Sequence, residues 1–283
     1  MLKQEKTPRY SWEEAIDLLR RDPQHRELIR DAYLTADLSE NCRRFAQSDE
    51  FNEALKLINI HRPDARELLD IPAGNGIATY AFARAGFKVT AVEPDPSPSV
   101  GRGAIAAALL KENLQAEIVD AFGENLPFDS HSFDVVYVRQ GLHHAQNLNA
   151  MLAEYARVLR PRGLLLGCRE HVVDDYGASL RAFLTAQVDH QLYGGENAFT
   201  LADYRSAFLD AGFSIIQEMG PYDSPINLHP NTPESLQTKI CESPPGKILG
   251  LVLPKSFVGR LGMWHLKRSR RPGRLYSFVA LAA

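Results

Sequence analysis

The chain has 283 residues, of which 45% are hydrophobic and 24% are charged, and these proportions are typical of a globular protein with a substantial core. Its 32 basic and 35 acidic residues give a net charge of −3, which argues against a dedicated nucleic-acid-binding protein. Three widely spaced cysteines form neither a zinc pattern nor a disulfide framework, which favours a reducing, cytoplasmic compartment, and no apolar stretch approaches the ~20 residues of a membrane span.

The N-terminal part of the chain is predicted to be helical. Residues 11–60 carry apolar stripes at helical spacing, and Pro63 ends this pattern. The polar start, MLKQEKTPRYSWEEA, lacks the apolar region of a signal peptide. We expect residues 1–62 to form a helical cap over the domain that follows.

Residues 63–171 alternate between strands and helices. The predicted strands are residues 67–71, 88–92, 116–119, 133–138 and 164–168, and the predicted helices are residues 77–85, 104–114 and 148–159. Strands that alternate with helices of about ten residues are typical of a parallel sheet covered by helices on both faces.

Residues 172–199 interrupt this alternation and form an insertion with a helical middle. The polar or turn-forming residues of its loop are His190, Tyr193, Gly194, Gly195, Glu196 and Asn197. This loop follows the fifth strand, so we expect the insertion to cover the crevice at the strand ends. Two interpretations of the loop stay open: contact with a ligand, or a simple lead into the next helix.

Residues 200–283 are predicted to complete the sheet around a basic insertion. Thr200 and Asp203 form a capping box at the start of a helix. A sixth strand at residues 213–219 is followed by a proline-rich, basic insertion at about 221–273. The chain then ends in a strand that we expect at the edge of the sheet, antiparallel to the sixth strand.

The turn after the first strand, Asp70-Ile-Pro-Ala-Gly-Asn-Gly76, is typical of a nucleotide-type binding site. Its glycines let the backbone approach a ligand, and the following helix offers free N–H groups. Glu93 ends the second strand, where a carboxylate can accept hydrogen bonds from both ribose hydroxyls. A dinucleotide fingerprint would place glycines near Pro72 and at Thr79, which argues against NAD.

Four segments in order, LLDIPAGNG, VEPD, ENLPFDSHSFDVVYVRQGLHH and MLAEYARVLRPRG, resemble the class I S-adenosylmethionine-dependent methyltransferases. The subgroup with the greatest similarity includes the quinone-biosynthesis and small-molecule O-methyltransferases. The match runs from about Glu67 to Cys168. The resemblance implies an α/β, Rossmann-like methyltransferase fold: a mostly parallel seven-stranded sheet with an antiparallel last strand and helices on both faces. It also implies S-adenosyl-L-methionine as the cofactor.

The resemblance places the cofactor at the ends of the first four strands. The implied cofactor-binding residues are Asp70, Ala73, Gly74, Asn75, Gly76, Glu93, Pro94, Asp120, Ala121, Phe122, Arg139 and Gln140. The turn 70–76 would line the methionine and ribose side, and Glu93 would hold the ribose hydroxyls. Pro94 would lie beside the adenine, and Arg139 and Gln140 near the sulfonium.

Two positions depart from the family pattern. Pro72 stands where the first glycine of the turn is usual, and proline lacks an N–H and fixes φ. The adenine loop carries two extra residues, which leaves two alternatives. Either Asp120 reaches the adenine amino group, which we favour, or Phe122 and Gly123 occupy that position.

The candidate catalytic residues are His143 and His144 after the fourth strand and Glu170 and His171 after the fifth. Both points face one crevice in this fold. A hydroxyl acceptor needs a base with a pKa near the working pH, and histidine suits this role. Some sugar O-methyltransferases of the subgroup carry a similar Leu-His-His, which implies a histidine base assisted by a carboxylate. The alternative is that the histidines only cap the next helix and pack the loop.

These features predict an S-adenosylmethionine-dependent methyltransferase that O-methylates a small-molecule acceptor with a histidine general base. The open alternatives are an NAD(P)-binding oxidoreductase and a non-catalytic protein that binds an adenosyl ligand. We expect no metal, since Asp174–Asp175 is typical of a solvated loop pair, and no nucleic-acid partner. A homodimer is left open.

The net charge hides an uneven distribution. Residues 243–283 contain eight basic and no acidic side chains, so the remaining 24 basic and 35 acidic residues carry −11. This segment favours an anionic acceptor or an acidic partner surface, or it forms a plain solvated basic face.

Overall fold

The computed structural model describes residues 10–186, 188–193 and 196–283. Four helices precede the sheet: α1 (Trp12–Arg21), α2 (Arg26–Asp31), α3 (Leu38–Ala46) and α4 (Asp49–His61). Ser11, Asp37 and Ser48 cap α1, α3 and α4, since each side chain accepts a hydrogen bond from a backbone N–H of the first turn. These caps divide the predicted helical region into separate helices.

The first five strands are parallel, as the alternating pattern predicts. They are β1 (Glu67–Asp70), β2 (Lys88–Val92), β3 (Ala116–Val119), β4 (Phe133–Arg139) and β5 (Leu159–Val173), and the helices between them are α5 (Ile77–Arg84), α6 (Arg102–Lys111) and α7 (Leu148–Val158). These five strands lie in the order β3-β2-β1-β4-β5, so the order reverses between β1 and β4. Such a reversal leaves a ligand-binding crevice beyond the carboxyl ends of the strands.

The rest of the chain adds helices and three strands. These elements are α8 (Ala178–Leu184), α9 (Val188–Tyr193), β6 (Phe199–Thr200), α10 (Leu201–Asp210), β7 (Phe213–Met219), α11 (Pro225–Leu228), α12 (Pro233–Glu242), α13 (Pro244–Leu249), α14 (Lys255–Leu266) and β8 (Arg274–Ala282). The predicted capping box of Thr200 and Asp203 opens α10. Among the described residues, no helix is both long and apolar enough to cross a bilayer.

The position of the last strand corrects one expectation. β8 does pair antiparallel with β7, but it lies between β5 and β7 and is not at the sheet edge. Its residues 277–280 are buried, which a strand with neighbours on both sides requires. β7, in which only Phe213 and Met219 are buried, forms the edge instead. The two-residue β6 pairs with β5 and brings the predicted seven strands to eight.

The proline-rich region 221–273 contains four helices that the sequence analysis did not predict. Three of them begin with proline, at Pro225, Pro233 and Pro244. Proline suits the first helical position because the N–H that it lacks would have no partner there. In this region proline therefore starts helices, whereas the sequence was described only as a proline-rich, basic insertion with no assigned elements.

Two apolar clusters cover the two faces of the sheet. On one face, Phe51 and Tyr137 pack against Phe82 with ring centroids 5.0 and 4.9 Å apart, which joins α4, α5 and β4. On the other face, Tyr204 of α10 packs against Phe278 of β8. The helices predicted as an N-terminal cap therefore contribute directly to the core.

Candidate functional site

A cavity of about 950 Å³ lies at the carboxyl ends of β1, β2, β4 and β5. Trp12, Glu93, Glu196 and Arg271 contribute to its wall from the N-terminal helices, the sheet, the insertion and the C-terminal region. The cavity lies at the reversal of the strand order, where a ligand site is expected. Its volume is in the range of small-molecule sites.

The glycine turn between β1 and α5 forms one wall of the cavity. Gly74 and Gly76 have φ values of +53° and +83°, which glycine adopts without strain. A Cβ on Gly76 would lie 3.0 Å from the Cα of Ile105, whereas a Cβ on Gly74 would meet no other described residue within 4 Å beyond its two chain neighbours. Gly74 lines the cavity, so a side chain there would take up ligand space. The side-chain amide of Asn75 donates to the backbone oxygen of Tyr33 at 2.8 Å, which ties the turn to the N-terminal helices.

Asp70 ends β1 and is 1% exposed. Its Oδ2 accepts a hydrogen bond from the Thr79 hydroxyl at 2.6 Å, whereas its Oδ1 is buried and has no hydrogen-bond partner among the residues that the structure describes. Burial raises the pKa of Asp70 to about 7, and the hydrogen bonds with Thr79 oppose this shift only in part. A buried carboxylate oxygen without a partner, on a residue that lines a cavity, is suited to accept a hydrogen bond from a cationic ligand group.

Glu93 ends β2 and links this strand to the glycine turn. One carboxylate oxygen accepts a hydrogen bond from the Gly74 N–H at 2.7 Å, and the other accepts from the Asp95 N–H at 2.9 Å. Burial raises the pKa of Glu93, and these two backbone hydrogen bonds oppose the shift. Each oxygen has a second lone pair for a ligand hydroxyl. Glu93 thus lines the cavity and can accept further hydrogen bonds from a ligand.

The loop after β3 differs from the favoured expectation. Asp120 is exposed, pairs with Arg102 at 2.9 Å and does not line the cavity. Ala121 packs against an apolar cluster of the core. Phe122 and Gly123 do line the cavity, so the geometry agrees with the second alternative for this loop.

Arg139, at the end of β4, is held by an acid that the sequence analysis did not single out. Its guanidinium donates to both carboxylate oxygens of Glu50 on α4, at 2.6 and 3.2 Å. Burial alone would raise the pKa of Glu50, but Arg139 and Arg169 hold this pKa below its usual value, so the pair stays ionised. Glu50 precedes the buried Ala54 and Leu57 by four and seven residues, and this helical spacing could have placed it on the inner face of α4.

Three further predicted cofactor residues, Ala73, Pro94 and Gln140, also line the cavity. Gln140 has a φ of +52°, and its N–H donates to the backbone oxygen of Cys168 on β5 at 2.8 Å. This backbone turn leads the chain from β4 across the end of β5 toward the candidate catalytic residues.

Residues Leu142–His144 form a 3-10 turn beside Glu170, which is fully buried. Glu170 accepts hydrogen bonds from the N–H groups of Gly141 and His143 at 3.0 Å, and from Nδ1 of His143 at 2.8 Å. A bulge of β5 at Arg169 accompanies this arrangement. Glu170 does not line the cavity, so it positions His143 and does not contact a ligand there.

The second ring nitrogen of His143, Nε2, lies 3.5 Å from a carboxylate oxygen of Glu196. Burial disfavours the charged ring, but the hydrogen bond to Glu170 and the negative charges of Glu170 and Glu196 outweigh it and raise the pKa of His143 to about 9. Burial alone would raise the pKa of Glu196, yet His143 and His144 hold it well below its usual range. At neutral pH His143 already carries a proton, so it is poorly suited to the base role predicted for one of the two histidines.

His144 and His171 line the cavity as well. The side chain of His144 is 37% exposed, and its Nε2 lies 4.0 Å from the Glu196 carboxylate. Nδ1 of His171 donates to the backbone oxygen of Gly273 at 2.9 Å. Burial and the charge of His143 lower the pKa of His171 to about 3, so His171 is neutral at physiological pH.

The insertion lies against these histidines. Tyr193 and Glu196 line the cavity, and the Tyr193 ring contacts Trp12 of α1 with centroids 5.4 Å apart. The predicted turn at Gly194 and Gly195 lies outside the described residues. The ligand-contact interpretation of the loop therefore agrees with the position of Glu196.

His143, His144 and Glu196 also form a donor set, with their ligand atoms all within 4.8 Å of one another. Two imidazoles and a carboxylate could hold Zn²⁺ or another first-row divalent ion. Glu170 would then be the outer partner that orients His143. No metal was predicted from the sequence, and no local pattern reveals this set because Glu196 joins the histidines only in the folded chain.

Residues 69–167 match the family model described as a methyltransferase domain. A demethylmenaquinone methyltransferase from Tropheryma whipplei is 33% identical over 102 residues, which are 36% of this chain and 41% of that protein. The ubiquinone/menaquinone biosynthesis C-methyltransferase UbiE from Dinoroseobacter shibae is 34% identical over 105 residues, with the same two shares. Residues 69–167 are a class I S-adenosylmethionine-dependent methyltransferase domain. The chain spans about two fifths of the length of these curated relatives.

The fold comparison extends beyond this methyltransferase domain. A geranyl diphosphate C-methyltransferase from Streptomyces coelicolor A3(2) superposes with a TM-score of 0.57, over 94% of this chain and 87% of that chain. The two sequences are 13% identical, so the likeness is one of fold alone. The predicted Rossmann-like methyltransferase fold is confirmed.

The cofactor of the methyltransferase domain is S-adenosyl-L-methionine, and the residues at the strand ends fit it. The unpartnered Oδ1 of Asp70 can accept a hydrogen bond from the amino group of the methionine part. Gly74 leaves space beside the turn, and Glu93 can accept from ribose hydroxyls. When bound, this cofactor supplies an electrophilic methyl group on sulfur.

Proposed function

We propose that this protein transfers a methyl group from S-adenosylmethionine to an oxygen atom of a small-molecule acceptor. The observation that carries the proposal is a single cavity that runs from the cofactor turn, at Gly74 and Glu93, to the histidines His143 and His144. Methyl transfer is an in-line displacement, so acceptor and methyl donor must share one enclosed space. As the new C–O bond forms and the C–S bond breaks, the acceptor hydroxyl must lose its proton.

His144 is the proposed base. His143 already carries a proton at neutral pH, and His171 is a weak base because its pKa lies at about 3. His144 is partly exposed in the cavity wall, and the Glu196 carboxylate at 4.0 Å stabilises the imidazolium that forms when it takes a proton. Protonated His143 can in turn stabilise the negative charge that develops on the acceptor oxygen.

Methylation of carbon is a second candidate. The name of the relative UbiE specifies a C-methyltransferase, as does that of the geranyl diphosphate enzyme with the similar fold. A phenol or enol that is methylated on carbon also becomes more nucleophilic when its hydroxyl loses a proton. The same base would therefore serve both reactions, and only the product distinguishes them.

The proposal also includes an anionic acceptor. Of the eight basic residues in 243–283, Arg271 and Arg274 line the cavity. Arg274 already pairs with Asp174 at 2.6 Å, although its Nη1 is buried and has no hydrogen-bond partner in the described part of the chain. The anion would have to be recognised by Arg271 and by Nη1 of Arg274.

A reducing, cytoplasmic location and a homodimer also belong to the proposal. All three cysteines are free, and Cys42 and Cys168 are buried in the core. Burial raises the pKa of the Cys42 thiol to about 12, which keeps it protonated and unreactive. Free buried thiols suit a reducing compartment. The homodimer stays a prediction, tested by light scattering of the purified protein.

The function is tested with cofactor that carries a deuterated methyl group. The protein is incubated with phenolic, hydroxy-acid and sugar acceptors, and products are detected by their mass shift and assigned by NMR. Transfer to oxygen is the expected result, and transfer to carbon would select the second candidate. Binding of S-adenosylhomocysteine without transfer to any acceptor would favour the non-catalytic adenosyl-binding alternative.

Substitution of His144 tests the base. His144→Ala should lower kcat roughly 100-fold or more, because general base catalysis contributes factors of this size. Its affinity for S-adenosylhomocysteine should stay unchanged. His61→Ala, on α4 and outside the cavity, is the matched control. Unchanged turnover of His144→Ala would remove His144 from the mechanism.

A further inference from the structure

The C-terminal region leaves a group of large apolar side chains in contact with solvent. They are Ile248, Leu251, Val252, Phe257, Leu261 and Trp264, each at least 40% exposed. Thirteen large hydrophobic side chains are exposed among the described residues, and these six fall within 17 consecutive positions. Single exposed apolar residues are ordinary, but such a concentration marks an interaction surface.

Helix α14 is apolar on two opposite sides. Its inner side packs on α12, with Val258 buried and Gly262 so close to Ile240 that a Cβ would overlap it. Its outer side carries Phe257, Leu261 and Trp264 at the i, i+4, i+7 spacing of one helix face. A helix with apolar residues on both sides is expected to be covered on both.

The same segment is strongly basic. Residues 247–271, which we call the α13–α14 face, contain seven basic residues and no acidic residue. Within the described part of the chain, Lys267 is the one of these seven that forms an ion pair, with Asp223 at 2.9 Å. The guanidinium of Arg268 lies over the Trp264 ring, 3.8 Å from its centroid. Cationic and apolar groups are therefore intermixed along this exposed segment.

We propose that the α13–α14 face binds the surface of an anionic lipid bilayer. Apolar side chains of such a face enter the boundary of the acyl chains while lysine and arginine contact acidic headgroups. Tryptophan and arginine suit this boundary because each combines an apolar body with a polar end. A nucleic acid would use the charges but leave Leu251 and Val252 in water. A second copy of the chain would bring seven like charges against seven others.

The α13–α14 face leads directly into the cavity. Ser269, Arg271 and Gly273, which follow α14, line it. A route for the acceptor from the bilayer into the cavity rests on the proposed methyl transfer. An amphiphilic acceptor with a hydroxyl group, dissolved in the bilayer, would have a short path to His144. Membrane binding itself does not depend on the reaction.

Vesicle flotation of the full-length protein tests the inference. Vesicles of phosphatidylcholine alone are compared with vesicles that also contain phosphatidylglycerol, at low and high salt. We expect roughly tenfold stronger binding to the anionic vesicles, weakened by salt. The chain has two tryptophans, so a Trp12→Phe variant reports on Trp264 alone. The fluorescence of Trp264 should shift to the blue on binding, because its ring enters a less polar environment.

A matched pair of leucines controls for general hydrophobicity. Leu251 on the α13–α14 face and Leu110 on α6 are equally exposed, at 84% and 83%. Leu251→Asp should lower vesicle binding roughly tenfold, whereas Leu110→Asp should not. Both variants should keep their affinity for S-adenosylhomocysteine, which separates this test from the proposed function.

Three results would overturn the proposal. The first is no flotation with any vesicle, and the second is equal flotation of Leu251→Asp and wild type. The third is a dimer in light scattering that Leu251→Asp abolishes while lipid binding is absent, since that would assign the face to self-association.

Discussion

At the scale of single residues, Asp70 combines burial with an unsatisfied oxygen. Its folded-state pKa of about 7 lies above the unfolded value of 3.8. An acid whose pKa is raised by folding leaves the fold unaffected below pH 4 and destabilises it as the pH rises from about 4 to 7. Asp70→Asn should therefore gain stability relative to wild type over this window, by up to about 4 kcal/mol. Urea unfolding at several pH values without cofactor measures this difference, and a constant difference would contradict the assignment.

Glu93 is the second residue on which the cofactor site depends. A carboxylate that accepts two ribose hydroxyls contributes about 1.5–3 kcal/mol per charged hydrogen bond. Glu93→Gln should therefore weaken S-adenosylhomocysteine binding roughly 10- to 100-fold in calorimetric titration. Glu117→Gln, at an exposed residue of the neighbouring β3, should bind like wild type. Equal affinity of Glu93→Gln and wild type would place the ribose elsewhere.

The sequence located those site residues whose position follows from the strand or turn in which they lie. The glycine turn and Glu93 sit at strand ends that the alternating pattern already locates, and both line the cavity. Asp120 was favoured because the resemblance implies an acidic residue in this loop, but it pairs with Arg102 and does not line the cavity. The place of Glu196 depends on how the insertion folds back over the sheet, and no local pattern specifies that path.

At the scale of elements, the ion pair of Glu50 and Arg139 joins α4 to the end of β4 across 89 residues of chain. Glu50→Ala would leave Arg139 and the nearby Arg169 buried without this carboxylate. Removing one partner of a buried pair costs about 3–5 kcal/mol, so the free energy of unfolding should fall by that amount. Glu53→Ala, which removes an ion pair with Lys56 on the same helix, should cost less than about 1 kcal/mol. Similar losses in both variants, measured by urea unfolding, would contradict a structural role for Glu50.

The elements themselves were predictable where hydrophobic periodicity decides them. β2 and β3 have the bounds that the pattern predicts, and β1 and β4 differ from it by one residue. β5 is much longer than predicted, so Glu170 and His171 lie inside this strand and do not follow it. The place of β8 between β5 and β7 was not predictable, because pairing partners depend on which edge the preceding helices leave open. The helices of region 221–273 were missed because proline at a first helical position looks the same in sequence as proline in a loop.

At the scale of the whole molecule, the cavity draws its walls from every part of the chain. Trp12 and Trp264 lie at opposite ends of the sequence, so single-tryptophan variants, Trp12→Phe and Trp264→Phe, report unfolding from two places. If the chain unfolds as one unit, both variants should give coincident melting curves. The predicted division into a cap, a core and an insertion would instead produce separate transitions if those parts were independent.

Ligand binding should then stabilise the molecule as one unit. S-adenosylhomocysteine at about 100 times its Kd adds roughly 2.7 kcal/mol to the folded state. For a chain of this size that corresponds to a rise in Tm of roughly 5–10 °C. Both tryptophan reporters should show the same rise, because residues 12 and 271, near the two ends of the chain, line the same cavity.

NADH at equal concentration should produce no shift, since Pro72 and Thr79 stand where a dinucleotide turn needs glycine. A rise in Tm with NADH but none with S-adenosylhomocysteine would replace methyl transfer by the oxidoreductase alternative. A rise in Tm reported by Trp12 but not by Trp264 would mean that the C-terminal region unfolds independently of the site.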